Sequence, residues 1–261
     1  MGDRRGTVFF DYDGTLHDTM ALYGPAFRAA CAWLSKEGWL ERRTYADADI
    51  ACWLGWTTEE MWTTFAPHLP EPVWREASLR VRDEMERLRK EGRARLFPGV
   101  EEALDEVASR GATMVLLSNC WRSYGEDHMR EFGLGRWIEG LHCAQDFDWI
   151  PKWQIYREVA SFYPLPHIMV GDRFHDREVA LRNDIPFVAC AYGFGEPGEC
   201  EGADAIAECA EELPNQFHAR FFRKLTKQTI TKNQFKGVLF DTPLFFHPFG
   251  KQEKRAFLTN F

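Results

Sequence analysis

The chain has 261 residues, 45% hydrophobic and 28% charged, with a formal net charge of −8 at neutral pH. That length holds a full α/β core plus a smaller domain, and the balance is that of a globular chain. The acidic charge argues against a general nucleic-acid binder, no apolar run approaches a membrane span, and no signal peptide precedes the first apolar run. A cytoplasmic protein with neither membrane nor nucleic-acid partner is expected. The seven cysteines are odd in number and lack paired metal-ligand spacing, which favours reduced thiols, with Cys120 a packed residue rather than a nucleophile.

Val8-Phe9-Phe10 is an apolar run that stops at Asp11, and Tyr12-Asp13-Gly14-Thr15-Leu16 follows. The pattern predicts a strand that delivers two carboxylates to a turn. In an open parallel sheet the carboxyl ends of the strands face the ligand crevice. Two carboxylates there repel one another and are tolerated best with a cation between them, and Mg²⁺ suits carboxylate and carbonyl oxygens.

Residues 20–35 carry Leu22, Phe27, Ala30, Cys31 and Leu34 near helical spacing. Further helices are predicted at Tyr45–Leu54, Thr57–Phe65 and Pro72–Lys90, the second opening with the capping sequence Thr57-Thr58-Glu59-Glu60. The Arg and Glu residues of the last recur at spacings of three and four, as on a solvated, salt-bridged face. An ordinary strand-to-helix loop takes only about 2–6 residues, so residues 20–95 read as an inserted helical domain. Six of the ten tryptophans (Trp33, Trp39, Trp53, Trp56, Trp62 and Trp74) lie in it. Most should fill its small core, while Trp56, in Leu54-Gly55-Trp56-Thr57, is the candidate for a pocket mouth. Arg42 and Arg43 read as surface groups.

Phe97-Pro98-Gly99-Val100 marks the return to the core. A helix over Val100–Arg110 is stopped by Gly111, and Thr113 to Leu117 reads as a buried strand ending in Ser118-Asn119. Residues 123–133 read as a helix, Gly140–Ala144 as a strand, and another helix starts near Lys152. His167-Ile168-Met169-Val170 is a strand ending in Gly171-Asp172, with Asp176 four residues on at a helix start. Ile185–Ala189 is the next strand, followed by Gly193-Phe194-Gly195 and the closing segment Ala203-Asp204-Ala205-Ile206. Strand and helix alternate throughout residues 1–19 and 96–213, the pattern of an α/β core.

Asp11-Tyr12-Asp13-Gly14-Thr15-Leu16-His17-Asp18-Thr19, Ser118-Asn119, Lys152 and Gly171-Asp172 with Asp176 stand in the order of the four motifs of the haloacid dehalogenase superfamily of phosphatases and phosphoryl-transfer enzymes, which residues 7–213 resemble. The resemblance implies a Rossmann-like doubly wound parallel sheet with an inserted helical cap. It further implies that Asp11 is the nucleophile, Asp13 the general acid and base, and Ser118, Asn119 and Lys152 phosphoryl-binding groups. Lys152 sits in a Pro-Lys rather than the commoner Lys-Pro context. Mg²⁺ would be held by Asp11, the backbone carbonyl of Asp13 and Asp172, with Asp176 orienting its water. The implied substrate is a small phosphorylated metabolite, as for phosphoglycolate phosphatases and nucleotidases.

The second acid, Asp13, disfavours the carbon-directed dehalogenase branch, whereas a sugar-phosphate mutase would keep the same acids. Phosphonoacetaldehyde hydrolysis would need a cap lysine, and Lys36 reads as solvated. His17 and His175 are candidate acids or bases, or solvated loop histidines. Residues 214–261 differ in kind: nine basic and two acidic residues give them +7 against −15 for residues 1–213, and they hold ten of the 21 phenylalanines. They read as foreign sequence or as a basic segment that docks on a partner.

Overall fold

The computed structural model describes residues 6–217, so the expectations for the basic segment fall almost wholly outside the described residues. In chain order the elements are β1 (Thr7–Phe10), α1 (Met20–Lys36), α2 (Asp47–Ala51), α3 (Thr58–Phe65), α4 (Glu71–Lys90), α5 (Val100–Ser109), β2 (Thr113–Ser118) and α6 (Arg122–Glu131). They continue with β3 (Ile138–Cys143), α7 (Lys152–Val159), β4 (His167–Gly171), α8 (Phe174–Asn183), β5 (Phe187–Cys190), β6 (Ala205–Ala207) and α9 (Leu213–Gln216). Every strand pairing is parallel, and the spatial order is β3-β2-β1-β4-β5-β6. Strand order reverses on the two sides of β1, which puts a ligand crevice at the carboxyl ends of β1, β2 and β4.

Period-two side-chain alternation builds three layers from these strands. Val8 and Phe10 of β1, Met114 and Leu116 of β2, and Ile168 and Val170 of β4 pack with Val100, Leu104 and Val107 of α5. The intervening residues Phe9, Val115, Leu117 and Met169 pack on the other face with Ile155 and Val159 of α7 and Val179 of α8. Both faces are covered, so the strand interiors Val8–Phe10, Met114–Leu117 and Ile168–Val170 are apolar without alternation. The first cluster reaches Phe217, whose ring meets Phe10 edge-on at 6.4 Å.

Helices α1–α4 share a separate cluster of Phe27, Ala30 and Leu34 from α1, Ile50 from α2, Trp62 from α3, and Trp74, Ala77 and Val81 from α4. Trp62 is fully buried and stacks on Phe27 at 5.8 Å, while Trp39 and Trp56 remain 38% and 37% exposed. The charged face of α4 forms the expected ladders, among them Glu71–Arg75 at 2.7 Å and Glu76–Arg80 at 2.9 Å. Such exposed pairs contribute only about 0.2–1 kcal/mol each, so the apolar stripe holds the helix in place. Thr57 caps α3, its hydroxyl accepting the Glu60 N–H at 3.3 Å.

Strands β3 and β5 start two residues from their expected positions, and two helices differ for a physical reason. Only Ile50 of α2 is buried, so the helix stops at five residues instead of spanning Tyr45–Leu54. Helix α8 begins two residues before Asp176, because the Asp176 carboxylate accepts the Arg173 backbone N–H at 3.1 Å and so caps the helix from inside its first turn. All seven cysteines are free thiols. Among the described residues no helix is long and apolar enough to cross a membrane.

Two glycines let the site close. Gly14 has φ +84°, and a Cβ there would stand 2.2 Å from Asp172 Oδ2. At Gly171 a Cβ would stand 2.2 Å from Asp176 Cγ. Gly171→Ala is expected to cost about 1–3 kcal/mol through overpacking, read as a lower denaturation midpoint. An unchanged midpoint would show that Asp176 can move aside freely.

Candidate active site

Asp11 follows β1 and its N–H donates to the Val170 carbonyl at 2.8 Å, which keeps the chain extended one residue beyond the strand. The N–H groups of Leu16 and His17 then both donate to the Tyr12 carbonyl at 2.9 Å, folding the turn that places Asp13. Asp172 follows β4, Asp176 lies in the first turn of α8, and Lys152 is the first residue of α7. Asp11, Lys152, Asp172 and Asp176 are 6, 4, 3 and 0% exposed. The three carboxylates present oxygens within 4.8 Å of one another. Lys152 Nζ bridges two of them, 2.8 Å from Asp11 Oδ1 and 2.8 Å from Asp176 Oδ1. Asp172 Oδ2 accepts the Phe194 N–H at 2.8 Å.

Three buried carboxylates thus face one ammonium. Burial and the neighbouring Asp176 push the Asp11 pKa well above the ordinary carboxylate value despite Lys152, and the same two causes push Asp172 to about 7. Burial alone would depress the Lys152 pKa, but Asp11 and Asp176 outweigh it and hold the ammonium charged. A dry cluster with more carboxylates than cations fits a divalent cation, and oxygen donors suit Mg²⁺. Asp11, Asp172 and Asp176 supply the carboxylates; the side chain of Asp13 lies outside this trio.

The Asp13 carboxylate is anchored elsewhere. Its Oδ1 accepts Thr19 Oγ1 at 2.6 Å and Tyr124 OH at 2.7 Å, and lies 3.1 Å from His17 Nδ1. None of these bonds uses Oδ2. Burial raises the Asp13 pKa, but the bonds from His17, Thr19 and Tyr124 outweigh it and leave the group below its ordinary value. His17 is therefore no solvated loop histidine: it is fully buried and lies flat on Tyr12, with rings 4° from parallel. Behind it, His128 Nδ1 lies 2.8 Å from Tyr12 OH, and burial with His17 nearby pushes the His128 pKa down to about 3.

A cavity of about 600 Å³ opens over these groups. Asp11, Asp13, Ser118, Asn119 and Lys152 line its floor, and Trp56 lines it from the helical insertion. Asp172 and Asp176 lie outside the lining, while His175 reaches it and has a buried Nε2 with no partner among the described residues. Cys120 also lines it, yet its Sγ faces Cys143 Sγ at 3.5 Å, and that contact together with burial pushes its pKa well up, as for a packed thiol. Arg42, Arg43 and Lys36 are exposed and outside the lining, and Arg43 stacks over Tyr45 at 4.5 Å.

Two residues of the site carried no signal in the sequence. Tyr124 reaches Asp13 from α6, 111 residues along the chain. Arg173 is 5% exposed and ties the core to the insertion, its Nη1 donating to the Leu54 carbonyl and its Nε to Glu199 Oε2 at 3.1 Å.

A curated 5′-nucleotidase from Pseudomonas aeruginosa is 26% identical over 121 residues, 45% of this chain and 55% of that protein; the chain spans about half the length of this curated relative. A haloacid dehalogenase-like family protein from Streptococcus pneumoniae shares the fold with a TM-score of 0.67 at 22% identity, over 82% of this chain and 98% of its own. A predicted phosphoglycolate phosphatase from Haemophilus somnus does so with a TM-score of 0.66 at 17% identity, over 83% of this chain and 100% of its own. The sequence pattern of the haloacid dehalogenase-like hydrolases itself matches residues 8–190, most of the chain, and the protein belongs to that family.

Proposed function

We propose that the protein is a Mg²⁺-dependent phosphatase that hydrolyses a small phosphomonoester, of the phosphoglycolate or nucleotide kind, through a phosphorylated Asp11. The observation that carries this reading is the pairing of two differently treated acids two residues apart. Asp11 sits in a trio of carboxylates, two of them bridged by Lys152, and Asp13 is clamped by three partners on a single oxygen.

In this reading the Asp11 carboxylate attacks phosphorus in line, forming an acyl phosphate as the ester oxygen departs. Asp13 gives that oxygen its proton, then takes one from the water that attacks the acyl phosphate, releasing inorganic phosphate and restoring Asp11. An arriving phosphoryl dianion raises the Asp13 pKa, which supplies the proton that the empty site would not hold. Lys152 keeps Asp11 aimed and offers positive charge to the phosphoryl oxygens, with Ser118 and Asn119 as further donors. Mg²⁺, held by Asp11, the Asp13 backbone carbonyl and Asp172, with Asp176 behind, would neutralise charge on the transferring group.

Residues 20–95 act as the cap over a core of residues 1–19 and 96–213, with Trp56 at the mouth. The expected partner is a small phosphorylated metabolite in the cytoplasm.

Tyr124→Phe removes one hydrogen bond to a charged group, and kcat is expected to fall about tenfold with KM little changed. Equal kcat would dismiss Tyr124 from the machinery. The reading as a whole is tested by inorganic phosphate release from a panel of small phosphomonoesters with Mg²⁺ or EDTA. Mg²⁺-dependent release supports it; folded protein that releases none from any ester sinks it. A sugar-phosphate mutase would instead return an isomerised ester.

A further inference from the structure

The cavity is larger than phosphoryl transfer alone requires, and the positive charges on its wall are already taken. Three arginines line it. Arg82 is bonded to Asp83 at 3.0 and 2.8 Å. Arg89 is shared among Glu86, Asp127 and Glu131 at 2.8, 3.2 and 2.9 Å. Arg173 is held by Glu199 and the Leu54 carbonyl. A second anionic group on the substrate would find these cations neutralised, and Asp83, Glu86 and Asp127 beside them on the same wall. Like charge on the wall rejects such a substrate.

The wall offers something else to an uncharged group. Trp53 and Trp62 both line the cavity, and each has a buried indole N–H with no hydrogen-bond partner among the described residues. Buried donors are rarely left unmatched, and these two indoles, with the likewise unpartnered Nε2 atoms of His128 and His175 on the same cavity, mark places for a ligand's polar atoms. Both indoles are fixed by packing, Trp62 on Phe27 and Trp53 edge-on to Trp56 at 5.7 Å. Trp56 and Trp121, 37% and 50% exposed, add aromatic surface at the same cavity. Aromatic side chains stack on heteroaromatic rings.

We infer that the substrate's leaving group is uncharged and ends in an aromatic heterocycle bearing hydrogen-bond acceptors, the chemistry of a nucleoside monophosphate, with Trp53 and Trp62 as specificity-determining residues. This rests on the phosphatase reading above and narrows it. The indole N–H groups meet ring nitrogens or carbonyls of the base, while the phosphoryl group lies over Asp11.

The test compares adenosine 5′-monophosphate, ribose 5-phosphate and 2-phosphoglycolate as substrates of the full-length protein. The first two differ only in the base, and the third carries a charged leaving group. The nucleotide is expected to have kcat/KM at least about tenfold above ribose 5-phosphate, with 2-phosphoglycolate lowest. Trp53→Phe keeps an aromatic ring and removes the donor; it should lower the nucleotide-to-ribose-5-phosphate ratio about fivefold through KM, whereas a merely structural role would lower both alike. Equal kcat/KM for nucleotide and ribose 5-phosphate, a preference for 2-phosphoglycolate, or an unchanged ratio in Trp53→Phe overturns the inference. Calorimetric titration of adenosine 5′-monophosphate into the Asp11→Asn protein separates the two readings. Tight binding without turnover by wild type would sink the phosphatase and retain the base site. Turnover of other esters with no nucleotide binding would do the reverse.

Discussion

Asp11→Asn protein is expected to release phosphate at least about 10³-fold more slowly than wild type at saturating substrate and Mg²⁺, with its far-ultraviolet circular dichroism unchanged. Asparagine is close to isosteric, and its carbonyl can still accept from Lys152, now 2.8 Å from Asp11 Oδ1. The fold should therefore survive while the nucleophilic oxygen is lost. The buried trio even loses one of its mutually repelling charges, so the loss of activity cannot be ascribed to collapse of the site. Asp13→Asn should behave differently. Acid–base assistance contributes about 10²–10⁴-fold, and less where the leaving group departs without a proton, so an activated aryl phosphate should recover part of that loss in the Asp13 variant and none in the Asp11 variant. Activity above a tenth of wild type in Asp11→Asn would remove Asp11 as nucleophile.

The parts of this site that were legible in the sequence are those set by strand ends. A run of apolar residues that stops at Asp11, another at Ser118 and a third at Asp172 must, in a parallel sheet, deliver all three to one crevice, and β1 pairs directly with β2 and β4. Lys152 was legible only through the resemblance to the family's third motif, since a lysine at a helix start reads by itself as a solvated group. Tyr124 and Arg173 were not. Their contacts with Asp13 and Leu54 join residues 111 and 119 apart, and the local pattern around each is that of any helix start. His17 stayed between two readings because polarity alone does not separate a solvated from a buried imidazole, and its burial depends on Tyr12 beneath it and on three oxygen partners, Asp13, Thr19 and Tyr124. The short α2 was over-extended because Tyr45 and Leu54, both buried, mark the ends of an irregular segment rather than one helical face.

The same crowding of acids that identifies the site makes it a source of instability without a cation, and Asp172→Asn exposes this. In EDTA, wild type should lose about 2–3 kcal/mol of stability relative to Asp172→Asn between pH 5 and pH 8, a widening gap in Tm of about 5–10 °C. The sign follows from the direction of the shift. Asp172 is raised from 3.8 to about 7 in the folded protein, first by burial and then by Asp176. Below pH 4 folded and unfolded chains both hold the proton and the advantage is complete; from there to about pH 7 the unfolded chain ionises first and the advantage drains away. The amide that replaces the Asp172 carboxyl cannot ionise, so the variant escapes this loss. The total pH dependence of wild type would not reveal the effect, because burial lowers the pKa values of His128, His142 and His167, and neutral buried histidines favour the fold as pH rises. The difference between the two proteins cancels the histidines and leaves the acidic cluster, Asp172 together with the Asp11 whose pKa its charge helps to raise. Mg²⁺ should then close most of the gap: at about 100 times its Kd a ligand adds about 2.7 kcal/mol, more at pH 8 than at pH 5 because it must displace protons, and wild type alone keeps the full set of carboxylates to bind it. Parallel curves for the two proteins in EDTA, unmoved by Mg²⁺, would mean that Asp172 neither carries the raised pKa nor belongs to a cation site.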